Sequence, residues 1–298
     1  MDKYSNTELK NISQSSSLSK SQIMSNQLFE NWRQLIYQNC GIYFQDNKKY
    51  LLESRLLKRI NYLGLDNYED YFKYIMDSIN GANEKKYLYE AITINETYFF
   101  RNQPQLDALI KTIIPEIVEK QGKENRAKIK IWSAASSSGE EAYSIAISIA
   151  DLIAPRYTNM DFEIVGTDIS YAVIESAKQG IYKEYAIRNT PAYYLKKYFT
   201  INGNNYHVKE EIKKHVSFRL VNLYDITAMK SMFNFDIIFC ANVLIYFDMN
   251  SKIKVVNQLY NSLNKGGYLF IGYSETLHNV SKAFKLLSFP KTIGYKKE

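Results

Sequence analysis

Residues 128–146 read KIKIWSAASSSGEEAYSIA, and the pattern changes twice within this stretch. Lys128 to Trp132 alternate polar and apolar side chains, which is typical of a β-strand. From Glu140 onward, apolar residues recur at the spacing of a helix. The residues between them, 133–139, are serine, alanine and glycine, small enough for a ligand to approach the backbone at the beginning of a helix. The stretch therefore predicts a strand, a tight ligand-binding loop and a helix.

The same loop is unsuited to a phosphate ligand. It has no Gly-Lys-Ser/Thr, so the lysine of a triphosphate-binding loop is missing, and it has no G-x-G-x-x-G. Glu140 and Glu141 would repel a pyrophosphate at that helix end. Carboxylates beside such a loop favour a ligand that is neutral or cationic.

Composition describes an ordinary soluble globular protein. The 298 residues are 46% hydrophobic, and no apolar run reaches the ~18–20 residues that a membrane helix needs. The polar start MDKYSNTELK is not typical of a signal peptide. Cys40 and Cys240 lie in apolar sequence without metal-ligand spacing, so we expect buried thiols, no metal and a reducing compartment. We expect a cytoplasmic protein that does not insert directly into a membrane.

The formal charge of +7 raises the question of nucleic-acid binding. Nearly the whole excess lies in residues 251–298, which carry 8 basic and 2 acidic side chains. These lysines are not accompanied by aromatic residues arranged to stack bases. The pattern favours a solvated lysine face, and we expect no nucleic-acid partner.

The chain divides into three parts. Residues 1–26 are rich in serine and predict a disordered tail. Residues 27–94 show helical periodicity, which predicts a small all-α domain with helices at 27–39, 47–63, 67–80 and 84–94. Residues 95–298 alternate helices and strands, with a small insertion around 181–215.

That alternation predicts the fold class, α/β with a doubly wound, mostly parallel sheet. The predicted helices are 104–121, 140–153, 170–179 and 250–264; the predicted strands are 128–132, 162–169, 216–223, 235–243, 268–275 and a terminal pair. Ligands bind such sheets beyond the carboxyl ends of the strands. Functional side chains are therefore expected there.

Polar residues do follow the predicted strands. Asp168 is placed to accept both hydroxyls of a ribose, although it could instead cap the following helix. Asn222 and Leu223 could bracket an adenine, and Asn242 and Tyr246 interrupt an apolar run. The hinge segment NETYFFRNQPQLDAL (95–109) crowds three aromatic residues and a guanidinium, and either a site or a plain hydrophobic junction would explain it.

Five segments together resemble a known family. NETYFFR, IWSAASSSGEEAYSIAI, GTDIS, VNL and NVLIYFD are similar, in order and spacing, to the chemotaxis receptor methyltransferases of the CheR type. The resemblance runs from about residue 29 to residue 295 and implies a class I (Rossmann-like) methyltransferase domain after a small helical domain.

The resemblance implies a cofactor, a reaction and a set of site residues. The cofactor is S-adenosyl-L-methionine, leaving S-adenosyl-L-homocysteine as product. The enzyme would be a protein-glutamate O-methyltransferase that forms methyl esters on the cytoplasmic helical bundle of chemoreceptors, in signal transduction for sensory adaptation. Arg101 and Tyr246 fall at the reacting, catalytic end. Cofactor contacts fall on Asn95, Thr97, Arg101, Glu141, Asp168, Asn222, Leu223 and Asn242.

The chemistry suits these residues, because a glutamate with a pKa near ~4.3 is already ionised at neutral pH and needs no general base. Two departures from the family pattern stand out. Ala241 occupies a position where the family usually has arginine. The segment between Phe199 and Val216 also lacks a Gly-x-Gly element, so we expect no tight binding of a receptor C-terminal pentapeptide.

Residues 48–59, KKYLLESRLLKR, predict a helix with a basic stripe. Arg55, Lys58 and Arg59 are interpreted as a docking patch for an acidic receptor bundle, against the alternative of a solvated face.

Two other functions share the cofactor. A methyltransferase acting on nitrogen would be expected to show an Asn/Asp-Pro-Pro-Tyr-like stretch, but ANVLIYF has no proline. A non-catalytic S-adenosylmethionine-binding signalling module remains the alternative. We expect a monomer.

Overall fold

The computed structural model describes residues 23–121 and 127–298, and its first part is a group of four helices. They are α1 (Asn26–Cys40), α2 (Lys49–Leu63), α3 (Tyr68–Met76) and α4 (Asn80–Ile92). The Ser25 hydroxyl accepts the Leu28 N–H at 3.1 Å and thereby caps α1. The group has its own core, in which the fully buried Trp32 packs against the rings of Tyr71 and Phe72.

A seven-stranded sheet forms the centre of the rest of the chain. Its strands are β1 (Ala127–Ala134), β2 (Met160–Asp168), β6 (Val216–Leu220), β7 (Phe235–Cys240), β8 (Leu263–Ile271), β9 (Phe284–Phe289) and β10 (Thr292–Lys297). The order across the sheet is β6-β2-β1-β7-β8-β10-β9. The first five of these strands pair in parallel and the last two pair antiparallel. The predicted fold class is confirmed.

Helices cover both faces of the sheet, and each face has its own apolar core beneath the helices. They are α5 (Gln103–Ala108), α6 (Ile114–Gln121), α7 (Glu140–Leu152), α8 (Tyr171–Gln179), α12 (Ile226–Met229) and α13 (Met249–Ser262). One core packs α7 on β1 and β2, with Ile131 and Ile145 fully buried; the other packs α13 on β7 and β8, with Trp132 and Val255 fully buried. The neighbours Ile131 and Trp132 point to opposite faces, as strand geometry requires.

The insertion after α8 builds a second, three-stranded sheet. It contains β3 (Ile181–Tyr182), β4 (Phe199–Asn202) and β5 (Asn205–Val208), with α9 (Glu184–Ile187), α10 (Ala192–Tyr198) and α11 (Glu210–Lys213) around it. The order is β3-β5-β4, and β4 and β5 form a hairpin.

Several boundaries differ from the prediction. β8 spans Leu263–Ile271 and not 268–275, and β6 ends at Leu220 and not at 223. Both strands end earlier than predicted because the chain turns into a loop at the carboxyl edge of the sheet. The helix predicted at 104–121 contains a π-helical turn at Leu109–Ile113. Residues 1–22 of the predicted tail lie outside the described residues, whereas Met24 is already buried.

The helical group packs against the carboxyl edge of the large sheet. The Tyr43 N–H donates to the Tyr246 carbonyl at 3.0 Å, and Ile42 forms an antiparallel bridge with Phe247. The Tyr37 hydroxyl donates to the Asp248 carboxylate at 3.1 Å. These contacts make the helical group one wall of the region where the parallel strands end.

Gly41 and Gly64 provide a test of this packing. Both have a left-handed backbone, with φ of 74° and 67°, so alanine is strained at either position. A Cβ at Gly41 would lie 2.5 Å from the Tyr224 ring, whereas nothing lies within 4 Å of one at Gly64. We expect Gly41→Ala to lower the free energy of unfolding by about 1–3 kcal/mol more than Gly64→Ala does. Urea denaturation measures both, and equal losses would contradict the close approach.

Candidate functional site

Two adjoining cavities open at the carboxyl edge of the parallel strands. The first lies between the helical group and the ends of β2, β6 and β7. The second lies between the loop after β1, α7 and the hinge segment. Ala135, Ser137 and Asn242 line both cavities, so together they form one elongated cleft.

The cleft collects all nine residues predicted to bind cofactor or to act in catalysis. The first cavity is lined by Asn95, Asp168, Asn222, Leu223, Asn242 and Tyr246. The second is lined by Thr97, Arg101, Glu141 and, again, Asn242. Residues up to about 150 positions apart in the chain therefore meet at one edge of the sheet.

Asp168 is a buried carboxylate at the end of β2. One of its oxygens accepts the Ser137 N–H and the other the Ser170 N–H, each at 3.0 Å. Burial raises the pKa of Asp168, and these backbone donors oppose the rise. The position that caps α8 belongs to Ser170, so the alternative that Asp168 is itself the N-cap is wrong. The carboxylate holds the small-residue loop and faces the first cavity.

Glu141 faces the second cavity from the first turn of α7. Its Oε1 accepts the Ser133 hydroxyl at 2.7 Å. Burial raises the pKa of Glu141 to about 7; the Ser133 hydroxyl and the Arg101 guanidinium oppose this rise, and the Glu275 carboxylate adds to it. A partly buried carboxylate with so few donors can accept a cationic ligand group.

Arg101 lies at the exposed mouth of the second cavity. Its guanidinium donates to the Glu96 carbonyl at 2.9 Å and lies 5.6 Å from the Tyr98 ring centroid. Arg188, from the loop after α9, stacks on the same Tyr98 ring at 3.7 Å and on the Tyr185 ring at 3.7 Å. The guanidinium of Arg101 pairs with no carboxylate among the contacts of the described residues.

Tyr246 lies on the turn after β7, with its backbone tied to the helical group. Burial raises the pKa of Tyr246, while the guanidinium groups of Arg55 and Arg101 oppose that rise. Both cationic groups therefore lie within electrostatic reach of the phenol. Arg101 and Tyr246 come from segments about 145 residues apart, and the fold brings them to the same cleft.

Asn222 lines the cleft, but its side chain is already bonded within the protein. Its amide donates to the Asn39 carbonyl at 2.7 Å, and its Oδ1 accepts the Tyr224 N–H at 3.0 Å. Asn222 thus fixes the end of α1 against the loop after β6. Leu223 is buried and gives the first cavity an apolar surface.

The cleft fits S-adenosylmethionine. The first cavity is mainly apolar, through side chains such as Ile42 and Val221, with the Asp168 carboxylate at its side; this suits a purine carrying a ribose diol. The second cavity contains Glu141, which suits a sulfonium and an ammonium. The Ser136 hydroxyl, which lines the second cavity, is buried and has no partner among the described residues.

The three predicted docking residues line one open surface groove, but they are not equally exposed. The Arg59 guanidinium bonds to the buried Glu84 carboxylate at 2.5 and 2.9 Å, and Arg55 is half-buried and donates to the Ile92 carbonyl. The expectation that both project into solvent is wrong, because the side of α2 that carries them packs against α4. Lys58 alone of the three is exposed.

The sequence missed two contributions to the cleft. The Glu275 carboxylate accepts three backbone N–H groups in the loops after β7 and β8. An acidic residue directly after a parallel strand indicates a candidate site residue. The sequence prediction placed Glu275 inside the strand 268–275, so this indication was missed. The helical group also lines the first cavity through Cys40, Ile42, Ile92 and Thr93, and no sequence pattern indicated this.

Within residues 23–121 and 127–298, no helix has the length and apolar character needed to cross a membrane. Over the same ranges, no group of three or more histidine, cysteine, aspartate or glutamate side chains is arranged to hold a metal ion.

Comparison with known proteins gives two family matches that together span most of the chain. The SAM binding domain of CheR methyltransferase matches residues 95–293, and the all-alpha domain of CheR methyltransferase matches residues 27–93. Chemotaxis protein methyltransferase 2 of Vibrio cholerae serotype O1 is 36% identical over 270 residues, which are 90% of this chain and 92% of that protein. The chemotaxis protein methyltransferase of Borreliella burgdorferi is 37% identical over 88% of this chain and 91% of its own.

The raised pKa of Glu141 predicts a pH-dependent stability in the absence of ligand. Because the folded pKa, about 7, exceeds the ordinary 4.5, the folded state holds this proton more tightly, and stability is lost as pH rises from about 4.5 through about 7. Glu141→Gln removes the loss and keeps an acceptor for Ser133. From pH 5 to pH 8 we expect the variant to gain about 1–3 kcal/mol in free energy of unfolding relative to the wild type.

Urea denaturation at the two pH values measures this difference. Glu163→Gln, at a half-exposed glutamate on β2 paired with Lys128, is the control and should show no such gain. A Glu141→Gln difference independent of pH would contradict the raised pKa.

Proposed function

The chain belongs to the CheR methyltransferase family and is an S-adenosylmethionine-dependent methyltransferase, and on this premise we propose that it methylates glutamate side chains of chemoreceptors. The product is a glutamate methyl ester on the cytoplasmic helical bundle, formed in sensory adaptation. One observation carries the proposal: a cavity that contains the Glu141 carboxylate, suited to a cationic donor, opens at the Arg101 guanidinium, which pairs with no carboxylate of the described residues and suits an anionic acceptor.

On the acceptor side, we assign the carboxylate to Arg101 and Tyr246. Arg101 is exposed at the mouth, and its planar fork suits a carboxylate. The Tyr246 hydroxyl orients the acceptor or lines the path of the methyl group. S-adenosylmethionine, when bound, supplies a methyl group activated by a positively charged sulfur. The chain's task is to align the acceptor and exclude water, because an ionised glutamate needs no base.

On the cofactor side, Asp168 is assigned to the ribose and Glu141 to the cationic end. Asn95, Thr97 and Asn242 line the cleft between and around them. Asn222 and Leu223 are assigned to the adenine end, with Asn222 acting through its bond to the Asn39 carbonyl. Each of these roles is a proposal that ligand binding can test.

For docking of the receptor bundle, Lys58 is the strongest of the three basic candidates. Arg59 neutralises the buried Glu84, so its removal would leave an unpaired buried charge and would not report on docking alone. Arg55 interacts electrostatically with Tyr246, so its removal would not report on docking alone either. We propose a cytoplasmic protein, because its acceptors would be cytoplasmic helices, and the monomeric state remains a prediction.

Asp168→Ala tests the cofactor assignment. We expect it to weaken binding of S-adenosylhomocysteine by about 1–3 kcal/mol, through loss of charge-assisted hydrogen bonds to the ribose. Titration calorimetry measures the affinity, with Asp66→Ala, at an exposed aspartate of the helical group, as the control. A folded Asp168→Ala variant with unchanged affinity would leave Asp168 only the role of holding the loop.

Transfer of label from methyl-labelled S-adenosylmethionine to receptor tests the proposed reaction. We expect base-labile label on receptor glutamates, since methyl esters hydrolyse in alkali. Arg101→Ala and Tyr246→Phe should lower kcat about 10-fold or more while changing cofactor affinity less, because both are assigned to the reacting end. Arg101→Lys should rescue only in part, since a point charge cannot replace the planar fork.

Arg188→Ala is the matched control for Arg101→Ala. Its guanidinium stacks on the same Tyr98 ring but lines neither cavity, so turnover should change less. Cofactor binding without any labelled receptor would favour the non-catalytic binding module. Wild-type turnover in Arg101→Ala would remove Arg101 from the reaction.

A further inference from the structure

Glu275 lies between the two loops that follow β7 and β8. Its Oε2 accepts the Gly272 N–H at 2.6 Å and the Asn242 N–H at 2.9 Å, and its Oε1 accepts the Ile245 N–H at 3.1 Å. The residue is buried, so each of these bonds is made away from bulk water. One carboxylate therefore fixes three backbone positions at the edge of the cleft.

The bonded loop carries two residues assigned to the reaction. Asn242 donates its backbone N–H to Glu275 and has a left-handed backbone, with φ of 62°. Tyr246 directly follows Ile245, whose N–H bonds to the other carboxylate oxygen. Displacement of this carboxylate would therefore move a cofactor-side residue and an acceptor-side residue together.

The loops pack closely around the carboxylate. A Cβ at Gly272 would lie 2.6 Å from Oε2 of Glu275 and 2.8 Å from the Asn242 nitrogen. The Gln105 side chain donates to the Ile271 carbonyl at 2.6 Å and fixes the end of β8 from the other side. A side chain at position 272 would therefore displace the Glu275 carboxylate or the Asn242 backbone.

We propose that Glu275 is a positioning residue, which sets the places of Asn242 and Tyr246 without touching cofactor or acceptor. The inference rests on the site assigned under the proposed function. It predicts that Glu275 and Asn242 act on cofactor binding as one unit. It does not depend on which acceptor is methylated.

Glu275→Gln and Glu275→Asp test the proposal. Glutamine keeps the size but turns an amide NH2 toward backbone N–H donors; aspartate keeps the charge but is too short to reach all three. We expect Glu275→Gln to raise the Kd for S-adenosylhomocysteine about 10-fold, and Glu275→Asp to raise it less. We expect turnover of Glu275→Gln to fall about 10–100-fold, because misplaced reacting groups are costly.

A double-mutant cycle separates positioning from general damage. If Glu275 acts through Asn242, the variant carrying both Glu275→Gln and Asn242→Ala should bind S-adenosylhomocysteine about as weakly as the weaker single variant. Additive losses would overturn the proposal, and so would wild-type Kd and turnover in folded Glu275→Asp. Thermal unfolding checks that each variant is folded at the assay temperature, and Glu163→Gln, remote on β2, is the matched control.

The double-mutant cycle measures binding of S-adenosylhomocysteine and needs no acceptor. It therefore tests the role of Glu275 independently of the proposed reaction. If the wild type binds S-adenosylhomocysteine but labels no receptor, the glutamate methylation fails while the cycle still decides the role of Glu275. If receptor is labelled but the cycle is additive, the reaction stands and the positioning role is wrong.

Discussion

Burial of negative charge at the carboxyl edge of one parallel sheet is the constraint on which the site depends. An isolated carboxylate is costly to bury, and the protein meets that cost with backbone donors. Asp168 receives two N–H bonds and Glu275 receives three, so each carboxylate also ties separate loops together. Glu141 receives one hydroxyl and a distant guanidinium, and the remaining deficit raises its pKa. Asp168 and Glu275, which have the most donors, thus hold the loops of the site in place. Glu141, which has the fewest, is the carboxylate best suited to bind a cation.

The helical group shares in the site because the same loops hold it in place. The Asn222 amide bonds to the last turn of α1, and the backbone of Tyr246 pairs with Tyr43. Residues of the helical group, among them Ile42 and Thr93, then complete the apolar cavity. The shape of the cleft therefore depends on how the helical group packs against the sheet, since residues at the end of α1 form part of the cavity wall. A site at a seam of this kind gives a ligand more contact than a sheet edge alone.

The sequence predicts the order of elements and the residues at the strand ends well, because both follow from local periodicity. Alternation along 128–132 and helical spacing after Glu140 correctly indicated β1 and α7. What failed depends on contacts distant in the chain. Arg59 looks like a surface cation until Glu84, 25 residues later, is placed beside it. Glu275 looks like a strand residue until Asn242, 33 residues earlier, is found to donate to it.

The departure at Ala241 has a consistent electrostatic meaning. Ala241 lines the second cavity and leaves it without a guanidinium at that position. Glu141 then faces the Glu275 carboxylate with Arg101 as the cation that offsets its charge. An arginine at 241 would place a second positive charge near a cavity assigned to a sulfonium and an ammonium. With alanine there, the local balance is more negative, and a cationic ligand meets the Glu141 carboxylate, whose charge is offset by the Arg101 guanidinium at the mouth. Because position 241 carries alanine, binding of a cationic ligand depends more strongly on the carboxylates and on the backbone donors that hold them.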